Sequence, residues 1–157
     1  MRNLSRIVLW ARIVALAATL AGCVAFAGAN DREATAIFDA GGDAGMWAVG
    51  LGFAAALLLP GVILLLVSLA IGHRRGSAGI AILGGVALLA PTAWLAASLY
   101  PPDRRTDEGS RLDPAQWEQV GDLYLAAFVL VGVAGMLLLA SGVAVLARRG
   151  ADPGVAQ

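Results

Sequence analysis

Side chains that carry much of protein chemistry are scarce in this sequence. Its 157 residues include no lysine, one cysteine, Cys23, and one histidine, His73. A single cysteine excludes an intrachain disulfide and any Cys-x-x-Cys redox or zinc site. Without lysine there is no phosphate-binding loop of the Gly-Lys-Ser/Thr type, and eleven arginines balanced by eleven acids give no basic face for nucleic acid. We therefore expect no enzyme activity, metal site or cofactor, and no nucleic-acid partner.

Charge is also scarce, at 14% of residues against about 25% in soluble domains, while 59% are hydrophobic. Four uncharged runs of 17 to 27 residues are long enough to cross a hydrocarbon core of about 30 Å. They are apolar on every face, and lipid requires each segment to satisfy its own backbone polar groups, which helices do. The sequence thus predicts an all-α integral membrane protein, a four-transmembrane-helix bundle. Its spans are 13–29, 46–72, 78–100 and 123–147.

The shortest run, 13–29, follows an N-terminal segment, 1–12, that ends in Arg12. Long arginine side chains near a helix end can reach back to the headgroups while the stem stays in lipid. We expect Arg12 to be such an anchor.

The arginines are distributed unequally between the two sides, and short loops rich in arginine stay in the cytoplasm. One side has seven arginines against one aspartate, a net charge of +6, and the other has four arginines against ten acids, a net charge of −6. This predicts cytoplasmic N- and C-termini. Arginine as the only basic residue and abundant alanine are typical of GC-rich bacterial genomes, so we expect the bacterial cytoplasmic membrane. The seven are Arg2, Arg6, Arg12, Arg74, Arg75, Arg148 and Arg149.

The connections are unequal in length. The five-residue segment 73–77 predicts a tight cytoplasmic turn that makes the second and third helices a hairpin, with His73 as an exposed turn residue. The first outer loop is 30–45, the second is 101–122, and 148–157 forms a cytoplasmic tail.

Within the second outer loop, Asp113 and Pro114 have the chemistry of an N-cap and a first helical residue. The fourth helix is therefore expected to begin before the membrane. Aromatic side chains are expected at the outer headgroups, where rings with a polar edge concentrate. They are Trp47, Trp94, Tyr100, Trp117 and Tyr124.

Small residues recur four or seven apart on the predicted helices. Such spacing lets helix backbones approach closely in lipid, where dispersion contacts replace the hydrophobic effect. These faces can serve the bundle or a partner, and the sequence leaves the choice open. The main pairs are Gly52 with Ala56, Ala81 with Gly85, and Gly135 with Gly142.

Pro60 and Pro91 fall near the middle of two adjacent helices, and each frees a carbonyl one turn earlier. One interpretation is a gentle kink satisfied by neighbouring helices. The other is a midplane transport site, since paired interrupted helices bind substrates in many transporters. The kink is favoured.

Cys23 ends the segment Leu20-Ala21-Gly22-Cys23, which resembles a bacterial lipobox. Cleavage before Cys23 would remove residues 1–22 as a signal and leave three spans. However, residues 24–28 stay apolar where a lipoprotein usually continues into a polar tether. An uncleaved first helix is the favoured interpretation.

Three functions remain open: an accessory or interaction subunit of a membrane assembly, a small transporter or pore-forming subunit using the helices of Pro60 and Pro91, and an enzyme. A transporter usually needs polar groups at depth, and none of the four runs contains a charged residue. The accessory role is favoured, with membrane lipids and either other membrane proteins or a second copy as partners.

The charge asymmetry predicts which loops an impermeant thiol reagent reaches. Single cysteines replace Asp43, Ser77, Ser110 and Ala151 in a Cys23→Ser background. We expect labelling of intact cells at 43 and 110 only, because the acidic loops lie outside. Labelling at 77 or 151 before lysis would reverse the orientation.

Overall fold

The computed structural model describes residues 2–39, 45–72, 76–99 and 114–150, and most of their side chains. Four long helices account for nearly all of these residues, and no strand occurs among them. The loop residues 40–44 and 100–113, the turn residues 73–75 with His73, and the tail 151–157 lie outside the described residues. The helices are α1 (Arg2–Asp39), α2 (Gly45–Ile71), α3 (Ser77–Leu99) and α4 (Pro114–Gly150).

The helix ends follow local chemistry. Helix α4 begins at Pro114. The fixed φ of proline suits the first helical position, and its lack of an N–H costs nothing because an N–H at that position has no intrahelical acceptor. Helix α2 ends before Gly72, which has a φ of +60°, a left-handed conformation that glycine adopts without strain. Helix α1 continues to Asp39, so part of the expected first outer loop is helical.

The helices form a ring in the order α1, α4, α3, α2. Contacts are most extensive between α1 and α4 and between α3 and α4, and they are least extensive between α1 and α2. Helix α4 therefore makes the most contacts in the bundle. We call each interface between neighbouring helices a seam, and α1–α2 is the least extensive of the four.

Two apolar clusters fill the interior. One cluster is centred on Leu65, Leu88 and Leu138, which are completely buried. The other surrounds Phe26 and Leu95, nearer the C-terminal end of α1. Because the ring closes on itself, both clusters draw side chains from all four helices.

Close backbone approach at glycines explains the extent of the α3–α4 contact. A Cβ on Gly85 would lie 2.8 Å from the carbonyl oxygen of Gly135, and one on Gly142 would lie 2.8 Å from that of Ala78. Gly22 is in similar contact with α4, where its Cβ would lie 3.1 Å from the carbonyl oxygen of Ala127. These helices meet at distances that any side chain would prevent.

The outside of the bundle is apolar. Many large aliphatic side chains, among them Val24 and Val49, are exposed there, as lipid contact allows. All four helices are long and apolar enough to cross a membrane: Ser5–Thr35, Val49–Ile71, Ser77–Ser98 and Glu118–Arg148 meet that criterion. The chain thus has the architecture of a multi-pass membrane protein.

Two side chains named in the sequence analysis are buried. Tyr124 is buried between α1 and α4 and does not lie exposed at the headgroups, whereas Trp94 is exposed. Ser77 is completely buried, which makes it a poor position for thiol labelling. The adjacent Gly76 is exposed and is the better probe of this turn.

The glycine contacts predict opposite effects for two alanine substitutions. Gly85→Ala should lower the free energy of unfolding by about 1–3 kcal/mol, because the new methyl group meets backbone atoms of α4. Gly132→Ala is the matched control, since no atom lies within 4 Å of its added Cβ, and it should raise that free energy by up to about 1 kcal/mol through helix propensity. Circular dichroism during denaturation in mild detergent measures both, and equal effects would contradict the packing.

Candidate functional site

Arg12 is the largest fully buried side chain among the described residues, with 2% of its surface exposed. It lies on the inward face of α1, one turn before Ala15, which is completely buried as well. Since α1 runs past the end of α2, this position is level with the α2 C-terminus. A charged group is thus enclosed at one end of the bundle.

The Arg12 guanidinium binds two other helices. Its Nη1 donates to the carbonyl oxygens of Ser68 at 2.6 Å and Gly72 at 3.1 Å, and its Nε donates to Oγ of Ser141 at 3.4 Å. Arginine supplies several N–H donors in a rigid fork, so one side chain can join α1 to α2 and α4.

The carbonyls that Arg12 binds belong to the last turn of α2. A helix leaves its final carbonyls without intrahelical donors, and the helix dipole places partial negative charge there. A cationic donor at this end pairs with the free carbonyls and interacts favourably with the helix dipole. The left-handed Gly72 turns its carbonyl toward the same guanidinium, so Arg12 caps α2 from outside that helix.

The expectation that Arg12 reaches the headgroups is therefore wrong. Its length allowed that prediction, but the inward direction of its Cβ and the free carbonyls of α2 favour the interior. Sequence reasoning also missed Ser68 and Ser141. A usable signal was present, because each is an isolated hydroxyl near the same end of an apolar run.

Among the described residues, two buried side-chain atoms at this end have no hydrogen-bond partner. They are Nη2 of Arg12 and Oγ of Ser77, the first residue of α3, and both are buried. The described carboxylates of Asp31, Glu33, Glu118 and Asp122 lie at the opposite end of the helices. Within the described part of the chain, the guanidinium is compensated by dipoles and has no ion-pair partner.

The opposite end of α1 is joined to α4 by polar and aromatic contacts. Tyr124 donates its hydroxyl to Oε2 of Glu33 at 2.7 Å, and Arg32 donates to Oε1 of Gln119 at 3.4 Å. The Tyr124 ring packs edge-on against Phe26 with centroids 5.4 Å apart. The two long helices are thus joined at the edge of the second apolar cluster, to which Phe26 and Tyr124 belong.

The two prolines lie in different environments. Pro91 is followed by Thr92, which is buried and donates its hydroxyl to the carbonyl of Leu88 at 2.6 Å. Pro60 is exposed on the outside of α2. Whether the two prolines form a midplane transport site stays a prediction. A shallow apolar groove of about 550 Å³ runs beside α4, lined by Leu89, Val129, Gly132, Val133, Met136, Leu137 and Ala140.

The small residues expected to pack divide into two groups. Ala81, Gly85, Gly135 and Gly142 are buried, and the three glycines contact the facing helix of the α3–α4 pair. Gly52 and Ala56 are exposed, and a Cβ on Gly52 would meet no atom within 4 Å. Whether Gly52 and Ala56 pack against a partner stays a prediction.

Cys23 is partly buried and lies beside the first apolar cluster. No group of three histidine, cysteine, aspartate or glutamate side chains that could hold a metal occurs among the described residues. The described polar groups can bind carbonyls, cap a helix and join helices.

We expect the protein to keep residues 1–22. This segment supplies Val8, Arg12, Ala15 and Thr19 to the interior, so its removal would open the bundle and leave the α2 carbonyls uncapped. The intact mass of the membrane-extracted protein should include residues 1–22 and no acyl groups. A mass that lacks residues 1–22 and includes acyl groups on Cys23 would contradict this expectation.

No protein-family model, curated protein or solved structure matches this chain. The features of this chain that bear on function are the contacts of Arg12, the glycine contacts between helices and the exposed face of α2.

Proposed function

We propose that this chain is an accessory subunit of a bacterial cytoplasmic membrane assembly and binds a transmembrane helix of another membrane protein. The binding surface is the exposed stripe of α2 formed by Gly52, Ala56 and Pro60, here called the α2 face. The observation that carries the proposal is that this stripe is open, whereas Gly85, Gly135 and Gly142 are occupied within the bundle.

An exposed stripe of small residues can pack closely against another helix, whereas lipid chains make fewer van der Waals contacts with it. Helices associate in membranes through close van der Waals packing, which small residues permit. A Cβ added to Gly52 would meet no atom of another helix within 4 Å, and Ala56 is exposed one turn further along. A partner helix can therefore approach the α2 backbone closely.

Pro60 adds a hydrogen-bond acceptor to the same face. Since proline has no N–H, the carbonyl of Ala56 loses its usual donor four residues later. Helix α2 has no serine or threonine before Pro60 whose hydroxyl could replace that donor. An uncompensated carbonyl is costly in lipid, and a donor on a partner helix would satisfy it.

The charges at the two ends of the bundle support its orientation in the membrane. Arg6 and Arg148 are exposed at the end of the bundle where Arg12 lies, and Asp31, Glu118 and Asp122 are exposed at the other. Arginine-rich ends stay in the cytoplasm, so both termini are cytoplasmic and the α2 face begins near the outer surface.

The test compares two alanines that are both exposed in the bundle. Ala56→Leu should abolish co-purification of the partner from bacterial membranes in mild detergent, because a large side chain separates the backbones. Ala126→Leu on α4 makes the same chemical change away from the α2 face and should leave co-purification intact. Proteins retained by wild type and by Ala126→Leu, but not by Ala56→Leu, are the partners.

Two outcomes would contradict the proposal. One is an equal loss or an equal retention of bound proteins in both variants. The other is solute flux through liposomes that contain the purified chain alone, lost in Pro60→Ala, Pro91→Ala or Thr92→Val without a change in assembly. That second result would establish the small-transporter interpretation instead.

A further inference from the structure

The four seams of the ring are built differently. Three of them contain glycines that a Cβ would bring into collision with the neighbouring helix: Gly22 in α1–α4, Gly85 in α3–α4 and Gly61 in α2–α3. The α1–α2 seam is the least extensive. A motion between helices therefore meets least resistance there.

Side chains of α1 lie close to α2 near the two ends of their seam. At one end Arg12 donates to the carbonyls of Ser68 and Gly72. At the other, Oδ1 of Asn30 lies close enough to Gly50 that an added Cβ would be 3.1 Å away. Between them the seam is apolar, with Ala15 packed in the cluster that includes Leu65.

We propose that α2 moves away from α1 at the cytoplasmic end, and that Arg12 is the latch that holds the closed form. The tightly packed α3–α4 seam acts as the hinge, because it lies across the ring from α1–α2. A rotation about that hinge separates α1 from α2 more than any other neighbouring pair. The inference does not depend on the identity or existence of a partner.

The polar groups at the latch contribute both favourably and unfavourably to the free energy of the closed form. The closed form gives the guanidinium two carbonyls and one hydroxyl, but it leaves Nη2 of Arg12 and Oγ of Ser77 buried without partners. Buried unpaired polar groups are costly, and a cation without an ion-pair partner is especially so. Opening toward the cytoplasm would give both atoms water or headgroup oxygens. Neither form is then favoured by every contact, as a switch requires.

Spin-label distances in the full chain in lipid nanodiscs test the latch. One pair of labels, at Ile13 and Ala70, spans the α1–α2 seam; the other, at Leu83 and Val143, spans α3–α4, in a Cys23→Ala background. Arg12→Met removes the donors but keeps an apolar stem. We expect the α1–α2 distance to lengthen by about 5 Å, the scale of one helical turn, while the α3–α4 distance stays unchanged.

Ser68→Ala is the matched control. Arg12 binds the backbone carbonyl of residue 68, whereas the Ser68 hydroxyl donates to Leu65 within its own helix, so this variant keeps the latch. Its distances should equal those of the wild type. An unchanged α1–α2 distance in Arg12→Met would overturn the proposal. A change in both distances in Arg12→Met would also overturn it, because Arg12 would then hold the entire bundle. The same lengthening of the α1–α2 distance in Ser68→Ala would overturn it as well.

Discussion

A backbone or side-chain polar group in hydrocarbon has no water to bind, and this constraint shapes every described element. It makes the four apolar runs helical, because a helix pairs its own N–H and C=O groups. It also determines what the buried hydroxyls do. Thr19, Ser68, Thr92 and Ser141 each donate to a carbonyl three or four residues earlier in their own helices. Arg12 follows the same rule across helices, since the carbonyls it binds lie at the end of α2, where intrahelical donors run out.

The second constraint is that lipid supplies no hydrophobic drive between helices. Contact must then come from close approach, and the structure places it at glycines. Helix α3 is the clearest example, because Gly84 is close to both Leu64 of α2 and Leu138 of α4, while Gly85 is against the α4 backbone. One helix can thus contact two neighbours closely without large side chains separating them. The ring is tight on the sides where these glycines lie and loose where they are missing.

The sequence predicted the four helices, but it did not predict which side of each helix faces a neighbouring helix. Length and uninterrupted hydrophobicity are enough to locate four spans, and Pro114 marked the start of α4 because its chemistry is local. The environments of Arg12 and Tyr124 could not be obtained in this way. Each depends on which side of the helix faces a neighbour, and an all-round apolar helix has no polar face to indicate that. For the same reason, the sequence could not say that Gly135 faces α3 while Gly52 faces outward.

Helix α2 combines the features that the other helices do not. Its outer stripe is open, it has no serine or threonine before Pro60, its seam with α1 is the least extensive, and its last turn is capped by a residue of another helix. Each feature alone has an ordinary structural explanation. Together they make α2 the helix whose position is least determined by its own chain. A contact that satisfied the Ala56 carbonyl from outside would bind the same helix that Arg12 holds from inside, so partner binding and latch opening would act on one rigid element and influence each other.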